Sequence, residues 1–135
     1  MTYAADRSTT KPDLAAVKQA ALTPAPEVVA SIRAVLGARL TALISGVKDA
    51  RTIDAWTHGK VKIPDLAYRR LQIAYAAALT LKARYEADAI ASWFTWLAEA
   101  LDDRSPAAVL ADTTKADVES KGREIVRAAR SHLTE

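Results

Sequence analysis

The chain predicts an all-α fold, and three observations predict it. Glycine and proline are scarce, four and five among 135 residues, while alanine is abundant. β-Branched residues never form a long run. Apolar residues recur three and four apart through segments separated by turn signals, which is the period of an α-helix with one buried face. Half of the residues are apolar, ample for the core of one domain or of one domain with a small appendage.

Taken in order, Met1 to Pro12 is polar and is expected to be loose. Asp13 can cap a short alanine-rich helix from Leu14 to Leu22, which Thr23-Pro24-Ala25-Pro26 interrupts. Pro26 suits the first turn of the next helix, where its missing N–H removes no bond. That helix presents Val28, Ile32, Val35 and Leu36 on one face and stops at Gly37.

The stretch Leu40 to Gly59 divides into two short helices. Leu40, Leu43 and Ile44 supply the apolar residues of the first. Ile53 and Trp56, three apart, share a face of the second. Gly46-Val47-Lys48-Asp49 between them is a turn signal, and Asp49 is placed to cap the second helix. Two short helices and a tight turn, with Trp56 locking the second helix onto a third, follow the helix-turn-helix plan. A hairpin of a plain helical bundle shares the pattern, and Gly46 stands seven residues before Ile53 where six is usual, so the turn is irregular. In the DNA-binding plan Ala50, Arg51, Asp54, Ala55 and His58 point outward, and Lys48 and Thr52 flank them.

Lys60-Val61-Lys62-Ile63-Pro64 is a basic connector, extended before its proline, whose two lysines can reach phosphates. A helix is expected from Asp65 to about Arg84, with Leu71, Tyr75, Ala78 and Leu79 on one face and Arg69 and Arg70 toward the recognition helix. A fifth helix, Glu86 to Asp102, carries Trp93, Trp96, Leu97, Ala100 and Leu101 at i, i+3, i+4, i+7 and i+8, with Phe94 off that stripe. Core tryptophans explain the stripe. A partly exposed aromatic cluster used as a partner anchor also fits, with Phe94 opposite the main face. Ser105 and Pro106 start a short helix to Ala111. Thr114 and Asp117 form a capping box that opens the last helix, to about Leu133. That helix carries Val118, Ile125, Val126, Ala129 and Leu133 on its apolar face and Lys121, Arg123, Arg127 and Arg130 on another.

The organisation expected is an N-terminal arm and short helix over 1–25, a DNA-binding region over 26–84, and a helical partner-binding module over 85–135. Charge follows the same division. Between Arg33 and Arg70 eight basic residues face three acids, whereas Glu86 to Asp103 holds five acids and no base. A basic middle suits a polyanion, and an acidic segment suits a different, protein partner.

Other classes are disfavoured. There is no cysteine, which removes disulfides and thiolate metal sites and suits a reducing cytoplasm. The N-terminus lacks the apolar core of a signal peptide, and the longest apolar run, Ile73 to Leu81, is too short to span a bilayer. His58 and His132 lie in distant segments without a neighbouring nucleophile or a metal-ligand spacing. No enzyme, cofactor or metal is expected.

The succession of motifs resembles the Xre/MbcA/ParS-type antitoxin family over about three quarters of the chain, from about Val29 onward. The residues that carry the resemblance are Ile53-Asp54-Ala55-Trp56-Thr57-His58-Gly59-Lys60-Val61, then Arg69-Arg70-Leu71 with Tyr75 and Leu79, then Trp93-Phe94-Thr95-Trp96, and last Asp103-Arg104-Ser105-Pro106-Ala107 with Val109-Leu110. The irregular turn departs from the pattern. So does Glu99-Ala100-Leu101-Asp102-Asp103, which stands where many members have a glycine-rich run.

The resemblance implies an antitoxin that represses its own operon as a dimer on palindromic double-stranded DNA. It also implies direct neutralisation of a RES-type, NAD-consuming toxin. DNA contacts would fall to Lys48, Ala50, Arg51, Thr52, Ala55, His58, Lys60, Lys62, Arg69 and Arg70. Toxin contacts would fall to Trp93, Phe94 and Arg104, and to the last helix and tail through Arg127, Arg130, His132 and Glu135. Two further readings share the fold: a stand-alone helix-turn-helix regulator without a toxin, and a helical protein-interaction adaptor.

Overall fold

The computed structural model describes residues 12–134. Expectations for the N-terminal arm before Pro12, and for Glu135, lie outside the described residues. Within them the chain is all-α, as its periodicity predicts, with eight helices and no strand. The helices are α1 (Pro12–Leu22), α2 (Ala25–Leu36), α3 (Ala38–Ser45), α4 (Ala50–Thr57), α5 (Asp65–Leu81), α6 (Ala87–Thr95), α7 (Pro106–Ala111) and α8 (Val118–His132). A single 3-10 turn, Glu99–Leu101, lies between α6 and α7.

α5 is the axis of the molecule. It packs against α1, α2, α3, α7 and α8. Leu71, Ile73, Ala74, Ala76, Ala77, Ala78 and Leu81 are all buried along it. A helix enclosed on several sides needs apolar residues all round, which explains the unbroken run near its end. Alanine at four of these positions lets the neighbouring helices approach closely. Apolar side chains from Ala20 to Ala129 form one continuous cluster around it.

The helix ends follow local chemistry. Gly37 (φ 88°) separates α2 from α3, and Gly46 (φ 88°, ψ 12°) closes α3 in a left-handed conformation that a side chain disfavours. The Asp49 carboxylate accepts the Thr52 N–H at 3.1 Å, and the Ser105 hydroxyl accepts the Ala108 N–H at 3.2 Å. Thr114 and Asp117 exchange hydrogen bonds as a capping box does, 2.7 Å from the Thr114 N–H to the carboxylate and 3.3 Å from the Asp117 N–H to the hydroxyl. The regular helix α8 begins one residue later.

Three expectations are corrected. α5 stops at Leu81 rather than Arg84, because Ala83 and Arg84 turn back onto the carbonyls three residues before them. The fifth helix does not reach Asp102. α6 ends at Thr95, and the chain turns extended at Trp96. It then makes a tight loop in which the Ala98 N–H donates to the Arg104 carbonyl (3.1 Å) and the Asp103 N–H to the Ala98 carbonyl (2.9 Å). Asp102 and Asp103 both sit at positive φ in that loop, 56° and 59°. Finally, Leu43 belongs to the surface rather than to the core.

Candidate functional site

The stretch expected to follow the helix-turn-helix plan consists of α3 and α4, which pack with α2. α4 rests on α2 and α3 through Ile53 and Trp56, both buried, Trp56 to within 2%. Two polar links hold its outer side. Arg33 Nη1 on α2 is 3.2 Å from Asp54 Oδ1. His58 Nδ1 lies 2.9 Å from the Asp54 carbonyl, a geometry that requires the proton on Nδ1 and leaves Nε2 outward.

The turn has its own clamp. Arg70, on α5, donates through Nη1 to the Ser45 carbonyl (3.3 Å), through Nε to the Thr113 hydroxyl (2.9 Å) and through Nη2 to the Thr113 carbonyl. A Cβ added at Gly46 would stand 2.9 Å from Arg70 Nη1, so a side chain there would push on this clamp, while the φ of 88° is what favours glycine. The extra turn residue is absorbed here: the N–H groups of Gly46 and Val47 both reach the Ala42 carbonyl, and Val47 packs on the core.

Around α4, Lys48, Ala50, Arg51, His58, Lys60 and Lys62 are exposed and Ala55 is half-buried. The side chains of Lys48, Arg51, Lys60 and Lys62 have no hydrogen-bond or ion-pair partner among the described residues. Thr52 turns its N–H and hydroxyl toward Asp49 and serves the cap.

Arg69 and Arg70, expected among the DNA contacts, each find partners within the chain. Both guanidinium groups are engaged at half-buried positions. Arg70 holds the turn as described. Arg69 makes two bonds to Glu119 on α8 (2.7 and 2.8 Å) and one to Gln72 (2.9 Å). These bonds hold the Glu119 carboxyl below the usual carboxylate range and raise Arg69 further above neutrality.

The expected partner residues scatter. Trp93 and Phe94 are not a surface. Phe94 is fully buried and meets Trp93 edge to face at 5.1 Å. Ile90, Trp93 and Phe94 form the buried face of α6, and the phase of that face is set by Ile90. Trp96 and Leu97, expected inside, are instead 52% and 74% exposed. Arg104 is tied to Asp112 and the Ala108 carbonyl. Arg127 is exposed, while Arg130 lies 3.7 Å from Asp13. His132 stacks on Tyr85 at 5.1 Å and meets Trp96 edge-on at 5.6 Å.

The structure therefore joins Trp96 and Leu97 to the end of α8. It also reveals roles for Arg33 and Tyr85 that the periodicity did not signal. Among the described residues no group of three His, Cys, Asp or Glu side chains could hold a metal ion, and no helix is long and apolar enough to cross a membrane. Compared with protein-family models, curated proteins and solved structures, the chain gives no match.

Proposed function

We propose that this chain is the antitoxin of a type II toxin–antitoxin pair. In this reading a homodimer binds palindromic operator DNA through α3 and α4, and the C-terminal half binds and neutralises a RES-type, NAD-consuming toxin. The observation that carries the DNA half is the contrast between the two sides of α4. Its inner side is fastened by the buried Ile53 and Trp56, and the exposed Arg33–Asp54 pair ties one edge to α2. The cations Lys48, Arg51, Lys60 and Lys62 around its outer side have no partner among the described residues. A rigid short helix edged by free cations is what insertion into a major groove requires: lysines for phosphates, and an arginine able to read a guanine edge.

The toxin half rests on two supports. The motif succession resembles an antitoxin family, which supplies the class of toxin. The exposed Trp96–Leu97 pair lies beside His132, and α8 carries Arg127 outward. An exposed tryptophan next to a leucine is a suitable interface anchor, and basic groups can occupy a pocket shaped for dinucleotide phosphates.

Binding of the full chain to DNA from upstream of its own reading frame, titrated with salt, tests the DNA half. Arg51→Ala should weaken specific binding by about 1–3 kcal/mol while leaving non-specific binding nearly unchanged. Equal loss on all sequences makes Arg51 a phosphate contact, and no loss removes it from the interface. Tight operator binding with no toxic neighbouring gene product supports the stand-alone regulator instead.

A further inference from the structure

A groove of about 580 Å³ runs between α1, α5 and α8, away from the helix-turn-helix unit and from Trp96. DNA binding does not use it, and the toxin surface proposed above shares only Arg127 with it. Its walls are apolar, formed by Leu14, Val17 and Ala20 of α1, Ile73 and Ala76 of α5, and Val126 of α8. Small residues create the space. Ala20 and Ala76 are short, and at one edge Gly122 lets the α8 backbone lie against the Ile73 side chain, where an added Cβ would come within 2.6 Å of Cδ1. The volume falls in the ~300–1,000 Å³ range of small-molecule sites.

The rim is charged and unbalanced. Arg69, Arg123, Arg127 and Arg130 face two carboxylates, Asp13 and Glu119. Arg69 and Glu119 satisfy each other. Arg130 is only loosely engaged, 3.7 Å from one oxygen of Asp13. The Arg127 guanidinium has no hydrogen-bond or ion-pair partner among the described residues, and Arg123 makes no hydrogen bond there and is held only by the attraction of the Glu119 carboxylate. The other oxygen of Asp13 is buried and has no hydrogen-bond partner there. A buried acceptor without a donor carries a cost that a ligand hydroxyl or N–H would relieve.

We infer that this groove binds an amphipathic organic anion: a medium-length alkyl or acyl chain ending in a phosphate or carboxylate. The apolar walls take the chain out of water. Arg123 and Arg127 supply planar forks that match phosphate or carboxylate oxygens two at a time. The open Asp13 oxygen favours a head group that carries a hydroxyl or amide hydrogen beside its anion. The site belongs to the chain alone and does not depend on the antitoxin reading.

The test is calorimetric titration of the full chain with decyl phosphate, kept below its micelle concentration, with decanol and inorganic phosphate as the two halves of the probe. Saturable binding at one site per chain is expected, with each half binding at least tenfold more weakly. Arg123→Glu/Arg127→Glu should lower affinity at least tenfold. Val17→Trp, which fills the groove mouth from an exposed position, should do the same. Lys82→Glu, elsewhere on the surface, should leave affinity unchanged, and circular dichroism should show each variant folded. Sedimentation with anionic vesicles that both groove variants abolish supports the site with a lipid headgroup as its source. Saturable probe binding without sedimentation supports it with a free amphiphile. Non-saturating uptake, equal affinity for decanol, or unchanged affinity in both groove variants overturns the site. Binding of an acidic amphipathic peptide in place of the probe overturns it as a small-molecule site.

Discussion

Replacing Arg70 separates a structural arginine from a DNA-binding one. In the wild type its guanidinium spans three segments: the end of α3 at Ser45, α5 itself, and the α7–α8 junction at Thr113. Arg70→Ala removes three charge-assisted donors. Each hydrogen bond from a charged group is worth about 1.5–3 kcal/mol net when buried, and less here because the side chain is half-buried and water can replace part of it. The Thr113 hydroxyl keeps its bond to the Leu110 carbonyl, so the groups that lose their donor are the carbonyls of Thr113 and of Ser45 at the turn. A destabilisation of about 2–3 kcal/mol follows, or on the order of 10 °C in Tm for a domain of this size. Arg70→Lys should recover little, since one ammonium cannot reach both ends of the span.

The assay pairs urea unfolding with DNA affinity measured across salt concentrations at a temperature where every variant is folded. The slope of log K against log salt should stay at its wild-type value in Arg70→Ala. In Lys60→Ala it should fall by about 1.8, one phosphate contact of ~0.9 lost from each protomer of the dimer, with stability unchanged. A reduced slope in Arg70→Ala together with unchanged stability would refute the internal role.

Other outcomes follow from single sites. Phe94→Ala should cost about 3–5 kcal/mol in chemical unfolding, because it empties a fully buried site, whereas Trp96→Ala should cost less than about 1 kcal/mol and instead weaken toxin binding by about 2 kcal/mol or more. Asp49→Ala removes the cap of α4 and should lower stability by about 0.5–2 kcal/mol, with local loosening of α4 visible in amide exchange. Because Arg69 holds the Glu119 carboxyl below its unfolded value, the pair's contribution is complete above about pH 4.3 and is lost as pH falls through the lowered value. Both side chains are partly exposed, so that contribution is no more than about 1 kcal/mol, and the gap in unfolding midpoint between wild type and Glu119→Gln should close on acidification below about pH 4.

The parts of this fold legible in the sequence are those set within four residues. Gly37 and Gly46 end helices, and Asp49 and Ser105 begin them, because the capping groups are chain neighbours. The partnership of Ile53 and Trp56 follows from spacing alone. α6 shows the limit. Trp93, Trp96 and Leu97 fit a helical stripe, but Ile90, Trp93 and Phe94 fit the same rule one phase earlier. Periodicity cannot choose between them until the neighbours are known, and contact with α2 and α7 selects the second.

The arginines illustrate a different limit. Arg69 and Arg70 belong to the basic stretch in sequence, yet their partners Glu119 and Thr113 lie more than forty residues away. Charge runs do not reveal such pairing. The groove depends on α1 docking against α5 and α8, a placement that the alanine-rich segment before Thr23 leaves open.

The most direct test of the antitoxin reading is growth on co-expression with the product of the adjacent reading frame, followed by affinity purification. The account expects the neighbour to arrest growth alone, and this chain to restore growth and co-purify with it. It also expects Trp96→Ala to lose both effects while keeping its affinity for operator DNA. A harmless neighbour, or rescue without a complex, would contradict neutralisation by direct binding.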